Sequence, residues 1–153
     1  MKIYRAGIDI GSTTVKLVLL DETGKILYGE YRRHCAHTQE TLAELLKEAG
    51  EKIGNCELQV KITGSGSINL GKALGIGFVQ EVVAVATALQ FTAPQTDVAI
   101  ELGGEDAKII YFEGGLEERM NGICAGGTGS FIGTQVFSVD ADLGISYEWS
   151  QET

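Results

Sequence analysis

At 153 residues, 44% of them apolar, the chain has material for one hydrophobic core and a piece of a second, not for two full domains. It carries 12 basic residues against 21 acidic ones, a net charge of -9, and no run of Lys or Arg makes a stripe able to grip a phosphate backbone, so no nucleic acid partner is expected. No stretch approaches membrane-spanning length, and Met1-Lys2-Ile3-Tyr4-Arg5, followed by Asp9, lacks the apolar core of a signal peptide, so a soluble, cytoplasmic protein with no membrane partner is expected.

Apolar, β-branched runs at Tyr4 to Ile10, Val15 to Leu20 and Ile26 to Tyr31 are split by Gly11-Ser12-Thr13-Thr14 and by Asp21-Glu22-Thr23-Gly24. They predict three short strands in an antiparallel meander. From Thr38 the period becomes helical, with Leu42, Leu45, Leu46 and Ala49 on one stripe and Gly50 as the expected cap. Leu58 to Ile62 predicts a buried strand, broken by Thr63-Gly64-Ser65-Gly66. A short helix through Leu70 and Leu74 and a brief extended Gly77-Phe78-Val79 follow, then an Ala- and Val-rich helix from Glu81 to Phe91 closed by Pro94. The order is βββαβα with a further helix, an α/β pattern of the ribonuclease H-like kind.

A second series of strands begins at Asp97 to Leu102, Ala107 to Phe112 and Leu116 to Met120, split by Gly103-Gly104 and Gly114-Gly115. It echoes the opening meander about 90 residues later, as a duplicated fold would. The expected domains are residues 1–95, a first lobe, and 96–153, the start of an incomplete second one. Cys35, Cys56 and Cys124 are odd in number and widely spaced with no Cys-x-x-Cys, which argues against a disulfide framework or a self-contained zinc site. Cys35 and Cys56 read as reduced thiols.

The strongest chemical signal is Ile8-Asp9-Ile10-Gly11-Ser12-Thr13-Thr14-Val15-Lys16, an acid at a strand end followed by a hydroxyl-rich glycine turn. Gly11 permits close backbone approach to phosphate, and Ser12, Thr13 and Thr14 supply donors. Asp9 would repel phosphate and instead suits a hydrated Mg²⁺ or an attacking water. The same residues also make good turn chemistry, and on their own leave both readings open. A second run, Ile100-Glu101-Leu102-Gly103-Gly104-Glu105-Asp106-Ala107-Lys108, repeats strand, acid, glycine turn and strand.

Both motifs and their separation resemble the superfamily of actin, sugar kinases and heat-shock chaperone ATPases. The resemblance implies an actin-like ATPase lobe and the beginning of a second, with ATP and Mg²⁺ as ligands. It places Asp9 and Glu101 at the metal and water, and Gly11, Ser12, Thr13, Thr14, Gly103, Gly104, Glu105 and Asp106 at the phosphates. Lys16 is within possible reach of a phosphate or sits on the strand surface. An acidic residue on the inter-lobe helix assists the attacking water in that superfamily, and Glu81 holds the matching place, though a carboxylate there also suits a helix N-terminus.

Met120-Asn121-Gly122-Ile123-Cys124-Ala125-Gly126-Gly127-Thr128-Gly129-Ser130-Phe131 goes further. It resembles the Asn-x-x-Cys-Ala-x-Gly-Thr-Gly-x-Phe segment of the ATPases that activate 2-hydroxyacyl-CoA dehydratases, a group that includes benzoyl-CoA reductase subunits. The resemblance implies that Cys124 is one of two cysteines per subunit holding a single [4Fe-4S] cluster across a homodimer, with Gly126 and Gly127 in the supporting loop. It also implies that ATP drives electron transfer to a dehydratase or related reductase partner. A thiolate beside free N–H groups at a helix start is stabilised, which agrees with that role. The family often has Asp where Glu101 stands, and its frequent Thr-Gly-Tyr-Gly-Arg is here Thr63-Gly64-Ser65-Gly66-Ser67. Beyond Phe131 the match fades, so a fragment is expected, inactive alone. A small-metabolite kinase and a non-catalytic interaction module of the same fold are the alternatives.

Overall fold

The computed structural model describes residues 2–103, 107–112 and 114–120. The chain divides into two compact units, Met1–Glu81 and Val82–Thr153.

The first unit is built on a five-stranded sheet in the order β3-β2-β1-β4-β5. Its strands are β1 (Ile3–Ile10), β2 (Thr14–Leu20), β3 (Ile26–Arg33), β4 (Glu57–Thr63) and β5 (Gly77–Phe78). The first three form the expected antiparallel meander, and β4 returns parallel to β1. Helix α1 (Thr38–Ile53) makes the crossover that a parallel return requires. Alternation puts Ala6, Ile8, Ile10, Val15, Leu17 and Leu19 on one face, where Leu42, Leu45 and Ala49 of α1 seal them into a single core with Tyr28 and Ile62. This is the mixed sheet of a ribonuclease H-like lobe.

Two expectations are corrected. Helix α1 does not stop at Gly50 but runs one turn further, to a cap at Gly54, whose N–H donates to the Gly50 carbonyl at 2.9 Å. Ile53 continues the stripe of Ala49 and packs on the core, which draws the last turn into the helix. Strand β4 is not buried along its length, since Ile62 is 1% exposed while Leu58 is 41% exposed. Helix α2 (Ile68–Leu74) is too short to cover more than the Ile62 end, where Gly71 meets it.

The second unit contains α3 (Glu81–Thr92) from its second residue onward and an antiparallel meander, β6 (Val98–Leu102), β7 (Ala107–Tyr111) and β8 (Glu117–Met120). Leu102 pairs with Ala107 across four intervening positions, as Ile10 pairs with Val15. The echo read from the sequence is therefore a repeat of strand order and hairpin register. The repeat does not extend to burial: Val98, Ile100, Leu102 and Ile109 are exposed, whereas the matching positions Ala6, Ile8, Ile10 and Leu17 lie buried under α1 in the first unit. Among the described residues no helix is long and apolar enough to cross a membrane.

Candidate functional site

In a sheet with parallel neighbours, ligands gather at the carboxyl ends of the strands where the order reverses. Here that point lies between β1 and β4. Asp9, the penultimate residue of β1, is in register with Lys16 on one side and Thr63 on the other. All three project from the face opposite the α1 core. Lys16 Nζ donates to Asp9 Oδ2 at 2.7 Å, with the carboxylate side chain 29% exposed. So open a pair stabilises the fold by at most about 1 kcal/mol. Lys16 also lies 5.6 Å from the centre of the Tyr31 ring.

Beyond Asp9 the chain turns through Gly11, whose N–H donates to the Thr14 carbonyl at 2.9 Å. Ser12 and Thr13 are exposed, whereas Thr14 is 7% exposed and packed into the hairpin. The accessible donors of the turn are thus those of Ser12 and Thr13. The end of β3 braces this hairpin, because the His34 N–H donates to the Thr13 carbonyl at 3.1 Å and its ring Nε2 lies 3.3 Å from the Gly11 carbonyl.

The other side of Asp9 is shaped by residues 63–67, which the sequence shows as a strand break and as a variant of Thr-Gly-Tyr-Gly-Arg but to which it assigns no site role. Gly64 has φ +93, and a Cβ there would sit 2.5 Å from Asp9 Oδ1 and would also strike the Ile10 carbonyl. A Cβ on Gly66 would meet Ile10 Cγ2 at 2.9 Å. Two glycines therefore let the end of β4 close onto the root of the hairpin. Ser67, fully buried, holds the turn by donating its hydroxyl to the Gly64 carbonyl at 2.7 Å. Ser fits this space because it is small and carries one short-range donor. Thr63 Oγ1 is buried in the same place without a hydrogen-bond partner. Gly-x-Gly directly after a parallel strand was the signal available for this part of the site.

In the second unit Glu101 and Lys108 repeat the cross-strand relation of Asp9 and Lys16, with Lys108 Nζ 3.8 Å from Glu101 Oε2. Here the lysine is the buried partner, Lys108 being 8% exposed, while the Glu101 side chain is 34% exposed. Lys108 was not singled out from the sequence; its equal spacing from the acid in both hairpins marks it. Gly103 follows β6, and Glu81 opens α3, where the positive end of the helix dipole favours a carboxylate. Gly104, Glu105, Asp106, Cys124, Gly126 and Gly127 lie outside the described residues. Cys35 is an exposed free thiol and Cys56 a half-buried one.

Among the described residues no three His, Cys, Asp or Glu side chains gather into a metal cage. Mg²⁺ keeps most of its waters and needs only one or two carboxylates plus substrate phosphate oxygens. Asp9, partly exposed beside a turn with free donors, offers that arrangement.

The chain is 31% identical over 147 residues to the 2-hydroxyisocaproyl-CoA dehydratase activator of Clostridioides difficile, covering 92% of this chain and 54% of the relative. Its fold is similar to that of component A of (R)-2-hydroxyglutaryl-CoA dehydratase from Acidaminococcus fermentans, with a TM-score of 0.68 and 27% identity over 90% of this chain and 55% of that one. The activator of 2-hydroxyisocaproyl-CoA dehydratase from Clostridium difficile, solved with bound ADPNP, gives a TM-score of 0.69 and 30% identity over 90% of this chain and 53% of that one. The chain thus spans about half the length of the curated relatives it matches. The model of the BadF/BadG/BcrA/BcrD ATPase family matches residues 6–139.

Proposed function

The chain belongs to the BadF/BadG/BcrA/BcrD ATPase family, and we propose that the whole protein is an ATP-dependent iron-sulfur activator serving a 2-hydroxyacyl-CoA dehydratase or a related reductase. The observation that carries this reading is Asp9, set at the carboxyl end of β1 beside a glycine hairpin, in a chain whose relatives are named as activators of such dehydratases.

Asp9 and Glu101 are the carboxylates that would hold a hydrated Mg²⁺ and orient the water that attacks ATP, and Glu81 would assist that water. Ser12 and Thr13, by backbone and hydroxyl, with the Gly11 turn, and the backbone N–H groups of Gly103, Gly104, Glu105 and Asp106, are the contacts to the phosphates. Lys16 neutralises the Asp9 carboxylate across the hairpin, and its ammonium is the group that would meet a phosphate oxygen. Cys124 is the thiolate that would bind iron, in a loop supported by Gly126 and Gly127, with the homodimer supplying the remaining ligands. A [4Fe-4S] cluster held there supplies one-electron chemistry to the partner enzyme.

The test is hydrolysis by the full-length protein. Asp9→Asn and Glu101→Gln remove the charge that meets Mg²⁺ and keep the side-chain shape, so each is expected to lower ATP turnover far more than ATP binding. Unchanged turnover in both variants would take these carboxylates out of the site.

A further inference from the structure

Three unusual features converge behind the first hairpin. His34, at the end of β3, is buried, being 9% exposed. The next two residues, Cys35 and Ala36, take φ values of 45° and 70°, a left-handed pair without a glycine. L-residues resist that conformation, so something must hold it. Two bonds hold it: the His37 N–H donates to the His34 carbonyl at 2.6 Å, closing the turn, and inside that turn the Ala36 N–H donates to His34 Nδ1 at 3.1 Å.

That hydrogen bond fixes the chemistry of the other ring nitrogen. A backbone N–H can only donate, so Nδ1 must be the acceptor and the ring proton must sit on Nε2. Nε2 lies 3.3 Å from the Gly11 carbonyl, and with the proton there the contact is a donation to that oxygen. The His34 N–H meanwhile holds the Thr13 carbonyl at 3.1 Å. One residue therefore binds two of the hairpin's carbonyls, the groups that would repel a phosphate. The trans peptide plane completes the argument: with the Gly11 C=O held toward His34, the N–H of Ser12 in the same peptide must point the opposite way, away from His34. We infer that His34 is a positioning residue, locked by the left-handed Cys35-Ala36 turn in the Nε2–H tautomer, that aims the Ser12 amide of the first hairpin at the phosphates of the bound nucleotide.

This rests on the reading of residues 11–14 as a phosphate hairpin, and the two are separable by experiment. In the full-length protein His34→Gln places an amide N–H₂ where Nε2 was, keeping the donor to Gly11 and losing the acceptor for Ala36. His34→Asn places an amide oxygen where Nδ1 was, keeping the Ala36 bond and losing the donor. The Gln variant is expected to bind MgATP as the unaltered protein does. The Asn variant is expected to bind it about tenfold more weakly, the scale of one hydrogen bond to a charged group. Adenosine, which has no phosphate, should bind all three alike. A loss that falls equally on adenosine and MgATP, or equal MgATP affinity in the Asn and Gln variants, overturns the inference. An unaltered protein with no affinity for MgATP overturns the phosphate-hairpin reading instead. Should either variant fail to fold, ¹⁵N shifts of the His34 ring in the unaltered protein decide: the Nε2–H tautomer is expected, and an Nδ1–H ring refutes the proposed lock.

Discussion

Replacing Gly64 by Ala probes the contact that shapes the Asp9 side of the site. Gly64 has φ 93 and ψ 148, a region almost closed to residues with a Cβ, where strain is on the order of 1–3 kcal/mol. The added methyl would also stand 2.5 Å from Asp9 Oδ1 and against the Ile10 backbone, which cannot rotate away as a side-chain tip can. Overpacking of this kind costs about another 1–3 kcal/mol. Gly75→Ala is the matched control, since Gly75 caps α2 at φ +67 with nothing within 4 Å of an added Cβ, leaving only backbone strain of about 1–2 kcal/mol. Urea unfolding of both variants in the full-length protein measures the difference, and MgATP hydrolysis measures displacement of Asp9. Gly64→Ala is expected to be the more destabilising by about 2 kcal/mol and to lose most turnover, whereas Gly75→Ala retains it. Equal destabilisation of the two, with turnover intact in both, would refute the close approach of β4 to Asp9.

Leu45 is fully buried on α1 and Leu46 beside it is 40% exposed. Leu45→Ala is therefore expected to cost about 2–5 kcal/mol in chemical unfolding, and Leu46→Ala no more than about 0.5 kcal/mol; similar costs would contradict the placement of α1. The Tyr28 phenol is pushed up to about 12, first by burial and then by its hydrogen bond to Glu48. Its neutral form is thus favoured in the folded state, so its stabilising contribution is complete below the unfolded value of 10.0 and is lost as pH rises through about 12. Absorbance titration should show one phenol ionising after the others, absent in Tyr28→Phe; ionisation of every tyrosine together near 10 would contradict it.

The hairpin strands and α1 were legible in the sequence because their information is local: alternation in β1 and β2, glycine turns, and a helical stripe from Thr41 to Ala49. The candidate residues read first, Asp9, Gly11, Ser12, Thr13 and Thr14, lie within one hairpin for the same reason. Long-range relations were not legible. Nothing around Gly64 states that β4 will lie in register with β1, so its glycines read as a break rather than as the wall of a site. His34 looked like any strand-end residue, because its meaning depends on two carbonyls more than twenty positions earlier and on left-handed residues that no propensity favours. The cap at Gly54 was missed because Gly50 satisfied the local rule, while the packing of Ile53 decided the outcome.

Iron content and the absorption spectrum of the full-length protein, purified without oxygen beside its Cys124→Ser variant, test the proposed activator most directly. A brown homodimer with one cluster's worth of iron per two chains is predicted, with iron and colour lost in a Ser variant that still folds. A colourless, iron-free protein, or a Ser variant that keeps its full iron, would contradict the activator reading and leave a small-metabolite kinase of the same fold as the better account.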